Sequence, residues 1–474
     1  MSRSRVLFRN GCILTLDRQV GDFMRGDLLI EGDTIAAVGP DLVASDCEEI
    51  DASGTIVAPG FVDTHRHTWQ ATVRGVAVDW TLAEYFHGMR GLLGLHYRPE
   101  DVYVGNLLGT LEALDSGITT LLDWSHIMNS PEHADAAVAG LRDSGARAVF
   151  AHGSSNEQWA NLPSTTPHPE DARRVRAQYF NSDEGLMTMA LALRGPQFTP
   201  PAVVEHDWRL ARELGVRITT HIGEGVGGGR QRPVAQLGAM GLLGADTTYV
   251  HGNELQDDEL DMIAASGGSA SVAPEVEMNM GHGMPGTGRF LAHGIRPCLS
   301  VDVVTGIGGD MFTVMRMALA MERALINQRA MATGTSVDRL SLTSRDVLEF
   351  ATIEGARACG LGARVGTLTP GKQADLILVR TDGLNHIPLN NPFGALVLAS
   401  HPSDVDSVYV AGRAVKRHGR LEGVDLTQLR RRADDSRNYL FEKAGLTVGL
   451  DWSLPFDAKW KQSHLASDAT AGQS

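Results

Sequence analysis

The stretch Pro59-Gly60-Phe61-Val62-Asp63-Thr64-His65-Arg66-His67 ends an apolar run on two histidines spaced two apart. In a strand, alternate side chains share a face, so both imidazoles point the same way. Downstream, Val216-Arg217-Ile218-Thr219-Thr220-His221 and Thr247-Thr248-Tyr249-Val250-His251 each close a strand-like run on one histidine. Pro297-Cys298-Leu299-Ser300-Val301-Asp302 closes another on a carboxylate. Four strand ends thus supply metal-ligating groups.

Around these runs, from residue 59 to 361, short apolar segments alternate with longer helical ones, such as Arg98 to Ser116 ahead of Ile118-Thr119-Thr120-Leu121-Leu122-Asp123. Repeated βα units over about 300 residues predict an α/β fold, a parallel sheet closed as a TIM-like (β/α)8 barrel. Before it lie short runs punctuated by Gly and Asp: Val6 to Phe8, Cys12 to Leu16, Asp27 to Ile30 and Thr34 to Val38. Strand character returns at Ala374 to Val379 and Val405 to Val410. Residues 1–58 and 362–422 are therefore expected to form one composite β-sandwich domain beside a barrel of residues 59–361. Residues 423–474 read as a C-terminal helix, Leu426 to Phe441, and a flexible tail from about Ser463.

With 474 residues and 43% hydrophobic content the chain can bury a large core and a smaller one. A formal charge of -15 argues against a nucleic-acid partner and favours a small neutral or cationic molecule. The first apolar run is too short for a signal peptide and no stretch approaches the ~20 apolar residues of a membrane span. A cytoplasmic protein without a membrane partner is expected. Cys12, Cys47, Cys298 and Cys359 lie far apart, which suits reduced thiols and neither a disulfide framework nor a thiolate zinc site.

Catalytic groups of such barrels sit at the C-terminal strand ends, where His65, His67, His221, His251 and Asp302 all fall. Imidazoles with a carboxylate suit Zn²⁺ or another borderline cation with an open position, and such a site lowers the pKa of a bound water to about 7. A lone strand-end histidine is more often a hydrogen-bonded core group; five such placements make coincidence a poor account. Gly223-Glu224-Gly225-Val226-Gly227-Gly228 formally matches G-x-G-x-x-G, but Pro233 and its surroundings do not make a dinucleotide-binding unit, and a flexible loop over the site is expected instead. Trp69, Gln70, Trp80, Trp124, His126 and Gln197 fall near strand ends and are candidates to line an aromatic pocket for a planar substrate, with plain packing as the competing account. The run Glu275 to Gly283 has no interpretable periodicity, and His282 reads as a loop residue between mobile glycines. Arg430-Arg431-Arg432 reads as a solvated helix face or an oligomer contact.

Pro-Gly-Phe-Val-Asp-Thr-His-Arg-His, Thr-His-Ile-Gly-Glu, Val-His-Gly-Asn-Glu-Leu, Ser-Val-Asp-Val-Val and the closing Val365-Gly366-Thr367-Leu368-Thr369-Pro370-Gly371-Lys372-Gln373-Ala374-Asp375-Leu376 together resemble the amidohydrolase superfamily. The branch is similar to the cytosine-deaminase-like group that includes triazine hydrolases and guanine- and adenosine-type deaminases. The resemblance implies that His65, His67, His221 and Asp302 bind the metal. It also implies that Glu224 shuttles protons, that His251 polarises the water or the attacked carbon, and that Asp302 accepts a proton. Several amidohydrolases bridge two metals with a carboxylated lysine. Here the only lysines are Lys372, Lys416, Lys443, Lys459 and Lys461, all after the barrel, so one divalent metal per chain is expected, Zn²⁺ ahead of Fe²⁺.

Many nucleoside-acting relatives carry a glutamate where this chain has Leu92-Leu93-Gly94-Leu95, and Gly-Pro-His where it has Gly195-Pro196-Gln197. A compact azaheterocycle without ribose or phosphate is the expected substrate, contacted by Gln70, Trp80, Trp124, Gln197, Glu224 and His251. The expected reaction is hydrolytic deamination of a small aminated N-heterocycle, with hydrolysis of an amide, cyclic amide or carbon–halogen bond as the nearest alternative. A non-catalytic scaffold or binding protein is the alternative of another class. A homodimer or higher homo-oligomer is expected.

Overall fold

A computed structural model describes residues 5–225 and 227–449; the expected flexible tail lies outside the described residues. Eight parallel strands form one sheet: Phe61–Arg66, Ile118–Ser125, Arg147–His152, Met187–Leu193, Arg217–Ile222, Thr247–His251, Ser269–Val272 and Cys298–Leu299. Helices follow the strands, among them Pro99–Asp115, Pro131–Ser144, Pro201–Glu213 and Asp257–Ser266. The first three begin on a proline, whose fixed φ and missing N–H suit a first helical turn.

The sheet closes where the first strand meets the segment after the last. Arg66 and Asp302 form a parallel bridge; the Asp302 N–H donates to the His65 carbonyl at 2.9 Å, and the His67 N–H donates to the Asp302 carbonyl at 2.8 Å. The Val301 N–H donates to Asp63 Oδ1 at 3.0 Å across the same seam. Arg66, between the two histidines, is buried and reaches Glu112 at 2.6 Å and the Gly309 carbonyl at 3.2 Å, tying the seam to a helix and to the loop after the last strand. Gly60 precedes this strand because a Cβ there would lie 2.1 Å from Thr119 Oγ1.

The second sheet has nine strands, mixed in direction and drawn from both chain ends; Thr55–Pro59 pairs antiparallel with Leu376–Arg380 and parallel with Arg5–Ile13. It adds a short strand, Glu48–Asp51, whose charged sequence carries no strand signal. A separate apolar cluster that includes Val6, Phe8, Leu28, Ile30, Val57, Leu376 and Leu378 is its core. The terminal helix is Leu426–Ala444, one turn longer than expected. Among the described residues no helix is long and apolar enough to cross a membrane.

Arg147, at the start of the third barrel strand, makes a bidentate pair with Asp375 at 2.8 and 2.9 Å, and both side chains are buried. Asp375 also accepts from the Ala411 N–H at 2.8 Å, so one carboxylate welds the two sheets. Asp375→Ala leaves a buried guanidinium uncompensated and is expected to cost about 3–5 kcal/mol of stability in urea denaturation. A loss below about 1 kcal/mol would mean the weld is not needed.

Candidate metal centre and active site

His65, His67 and Asp302 offer ligand atoms within 4.8 Å of one another, as do His65, His221 and His251. His65 Nε2 and His67 Nε2 lie 3.2 and 3.3 Å from Asp302 Oδ1, and His251 Nε2 lies 3.8 Å from Oδ2. The His65 ring packs edge-on against those of His67 and His221, each with centroids 4.7 Å apart. The His67 and His221 rings lie nearly parallel, centroids 5.4 Å apart. His251 and Asp302 hold positive φ, 74° and 71°, backbone strain of the kind that collects at functional sites.

The surroundings fix these rings. His67 Nδ1 donates to the Trp124 carbonyl at 2.9 Å, which leaves the Nε2 lone pair facing Asp302. His251 Nδ1 donates to Glu277 Oε1 at 3.1 Å, and Glu277 is itself held by the Asn253 amide at 3.0 Å and the Ala273 N–H at 2.8 Å. Burial drives His67 down to about 3, helped by His65, and drives His65 and His221 below the usual imidazole range. Burial also opposes charge on His251, but Glu277 and Asp302 outweigh it and lift the group to about 9. Burial likewise pushes against ionised Asp302, yet the surrounding histidines hold its carboxyl well below the ordinary range.

Both ring nitrogens of His65 and Nδ1 of His221 are buried without a hydrogen-bond partner. Buried polar atoms rarely stay unpaired, and neutral imidazoles beside a carboxylate are the donor set of a borderline divalent cation, so these residues fit a metal.

A narrow cavity opens from this cluster, walled by Leu82, Tyr85, Phe86, Arg90, His126, Trp159, Glu224, Met280, His282 and Val303 as well as His67, His221, His251 and Asp302. Glu224 is 8% exposed; burial raises its pKa, and its Oε2 has no partner. Hydrogen bonds hold the residues on either side of Glu224. Glu254 N–H donates to the Gly223 carbonyl at 2.8 Å, Gly225 N–H to the His282 carbonyl at 2.8 Å, and Gly223 N–H to Gln197 Oε1.

The expected substrate contacts divide. Glu224 and His251 line the cavity, and Gln197 lines a wider outer cavity that continues past Phe86 and Trp159. Trp124 lies behind the imidazoles, its ring 4.3 Å from that of His221, and supports them. Gln70 is buried behind Tyr85, whose hydroxyl takes its amide, and Trp80 packs in the core. Neither lines the cavity at the histidine cluster: Tyr85 and Thr305 engage both ends of the Gln70 amide, and Trp80 is held by the hydrophobic core. Of the two weaker candidates, His126 lines the cavity, while Trp69 supports it by donating to His126 Nδ1 at 3.1 Å.

Within Glu275 to Gly283, Pro274–Met280 is a short helix that brings Glu277 to His251; His282 lies in the loop after it, as expected, but is buried with its ring 4.7 Å from that of His251. Arg90 and Trp159 had no assigned role. The signal for Arg90 was present, as the one arginine in an apolar stretch from Tyr85 to Tyr97.

The profile of the amidohydrolase family matches residues 56–415. The chain belongs to the amidohydrolase family. As an amidohydrolase it is a metal-dependent hydrolase of carbon–nitrogen bonds, and the scaffold alternative falls away. It is 28% identical over 411 residues to a 5'-deoxyadenosine deaminase of Methanothermobacter thermautotrophicus, covering 85% of this chain and 92% of that one. It is 29% identical over 427 residues to a 5-methylthioadenosine/S-adenosylhomocysteine deaminase of Symbiobacterium thermophilum, covering 87% and 93%. Among solved structures, an adenosine deaminase from Xanthomonas campestris with bound zinc superposes with a TM-score of 0.82 at 23% identity, over 93% of this chain and 99% of that one. An atrazine chlorohydrolase from Arthrobacter aurescens complexed with zinc gives 0.79 at 22%, over 91% and 100%. These structures share the fold.

Elemental analysis of this amidohydrolase is expected to find about one divalent metal per chain, with most of it lost in His67→Ala while circular dichroism stays native. Two tightly held ions, or full metal content in the variant, would contradict the single site.

Proposed function

We propose that this amidohydrolase deaminates an aminated nitrogen heterocycle by hydrolysis at the amino-bearing ring carbon, with His65, His67, His221 and Asp302 holding the metal. Zn²⁺ fits this nitrogen and oxygen set best, with Fe²⁺ next, and when bound it supplies a water acidified to near neutral pH. The observation that carries the reading is Glu224: a buried carboxyl with raised pKa and an unpartnered oxygen, on the same cavity wall as Asp302 and His251.

Glu224 and Asp302 have environments that push their affinities for protons apart, which assigns the acid and the base. Asp302 takes the water's proton as oxygen bonds to the ring carbon. Glu224 delivers its proton to the adjacent ring nitrogen, and His251, held cationic by Glu277, steadies the charge on the new oxygen. The proton on Asp302 then passes to the amine, the carbon–nitrogen bond breaks and ammonia leaves, while the new hydroxyl gives its proton back to Glu224 and becomes the ring carbonyl.

The walls of Phe86, Trp159, Leu82 and Met280 suit a planar ring. The three deaminases named above are named for adenosine derivatives, which carry a sugar, whereas the atrazine chlorohydrolase is named for a triazine without one. The expectation of a ribose-free substrate is kept because Leu93 and Gly94 pack inside the protein and the Gln197 oxygen is already taken by Gly223, which leaves the Gln197 amide nitrogen as the one polar group of these positions that faces the outer cavity. Free cysteines, three of them buried, support a cytoplasmic setting.

A screen of aminated azines, pyrimidines, purines and their nucleosides should show ammonia release, faster from free bases than from nucleosides. Glu224→Gln should keep the metal and lose about 10²-fold or more in kcat. A metal-loaded variant of near-normal activity would remove Glu224 from the reaction.

A further inference from the structure

Arg90 lies on the cavity wall in the helical segment Phe86–Leu92, and its side chain is 1% exposed. One guanidinium nitrogen, Nη2, donates to the His126 carbonyl. Nε and Nη1 are buried with no hydrogen-bond partner. No carboxylate among the described residues lies within ion-pair distance of Arg90; the Trp69 ring, 5.4 Å away, offers its π face instead.

A guanidinium is a planar, permanently charged fork that pairs with oxygen acceptors, and a buried charge without one is rare. The other charges of the cavity are accounted for: His251 has Glu277, and Asp302 has His65 and His67. Among the charged groups Glu224 Oε2 and the two Arg90 nitrogens remain without a partner; both ring nitrogens of His282 and the Trp159 Nε1 on the same wall are unpartnered as well. On the proposed reaction Glu224 serves the ring nitrogen, so a second acceptor is still owed to Arg90.

We propose that Arg90 is the specificity-determining residue of the cavity, and that it selects an aminated heterocycle whose ring carries an oxygen acceptor, an oxo group or a carboxylate. This inference rests on the proposed deamination and names its substrate class. A bare ring would strip water from Nε and Nη1 and return nothing, and a site with unpaired donors rejects such a ligand. The chain's net charge of -15 does not oppose this, since Arg90 sets the local field at the ring.

The test compares kcat/KM for ammonia release from an aminopyrimidine, the matching aminopyrimidinone and the matching aminopyrimidine carboxylate, on metal-loaded wild type, Arg90→Met and Arg90→Lys. Wild type should favour at least one oxygen-bearing ring over the bare ring by about 10-fold or more, and which one shows the source of the oxygen. Arg90→Met should level that preference, chiefly through KM, with metal content and Tm unchanged, and Arg90→Lys should restore part of it. Calorimetric binding of an unreactive pyrimidinedione against pyrimidine separates this inference from the deaminase reading. If no ring releases ammonia, the deaminase reading falls while the binding pair still decides Arg90. Equal or tighter binding of plain pyrimidine by wild type, or an undiminished preference in folded Arg90→Met, overturns the inference.

Discussion

The structure depends on the seam at which the barrel closes. The main chain of Asp302 is bonded on one side to His65 and on the other to His67, so the bonds that join the first and last edges of the sheet also set the spacing of those three side chains. Cys298–Leu299 is a two-residue strand, too short to hold a barrel shut by ladder bonds alone. The Asp63 bond to Val301 and the reach of Arg66 to Glu112 and Gly309 reinforce the join from the side opposite the imidazoles. Alternation along one strand thus divides the labour: His65 and His67 face the site, and Arg66 fastens the wall.

From that seam follows the electrostatic character of the cavity. Water is excluded around His65, His67 and His221, which stay neutral and keep lone pairs for a cation, while Asp302 is kept ionised with the help of the charged His251 beside it. Glu224 sits on the loop after the fifth strand, outside the cluster, where burial without a partner favours its protonated form. Two carboxyls on one cavity wall can therefore hold opposite protonation states at one pH.

The barrel and its polar ends were legible because parallel strands buried on both faces read as short apolar runs and the histidines interrupt them at their ends. The composite second sheet was legible from the return of strand character near Asp375. Residues that act from between strands left less trace. Glu277 sits in a seven-residue helix too short to show a period, and Trp159 in one of five. Gln70 and Trp80 fell near the predicted site in sequence but are buried behind its lining, since position along a loop does not fix the side on which a residue is buried. Arg90 was visible as a charge in an apolar stretch; only its burial without a carboxylate gives that charge a meaning.

The most direct measurement is a crystal structure of the protein as purified, with anomalous data collected at the zinc edge and, in turn, the iron edge. The account predicts one peak per chain at the barrel seam, within bonding distance of His65, His67, His221 and Asp302, with Glu224 facing its open side. A pair of peaks at the seam, or a single peak bound elsewhere with these four side chains left unligated, would contradict it.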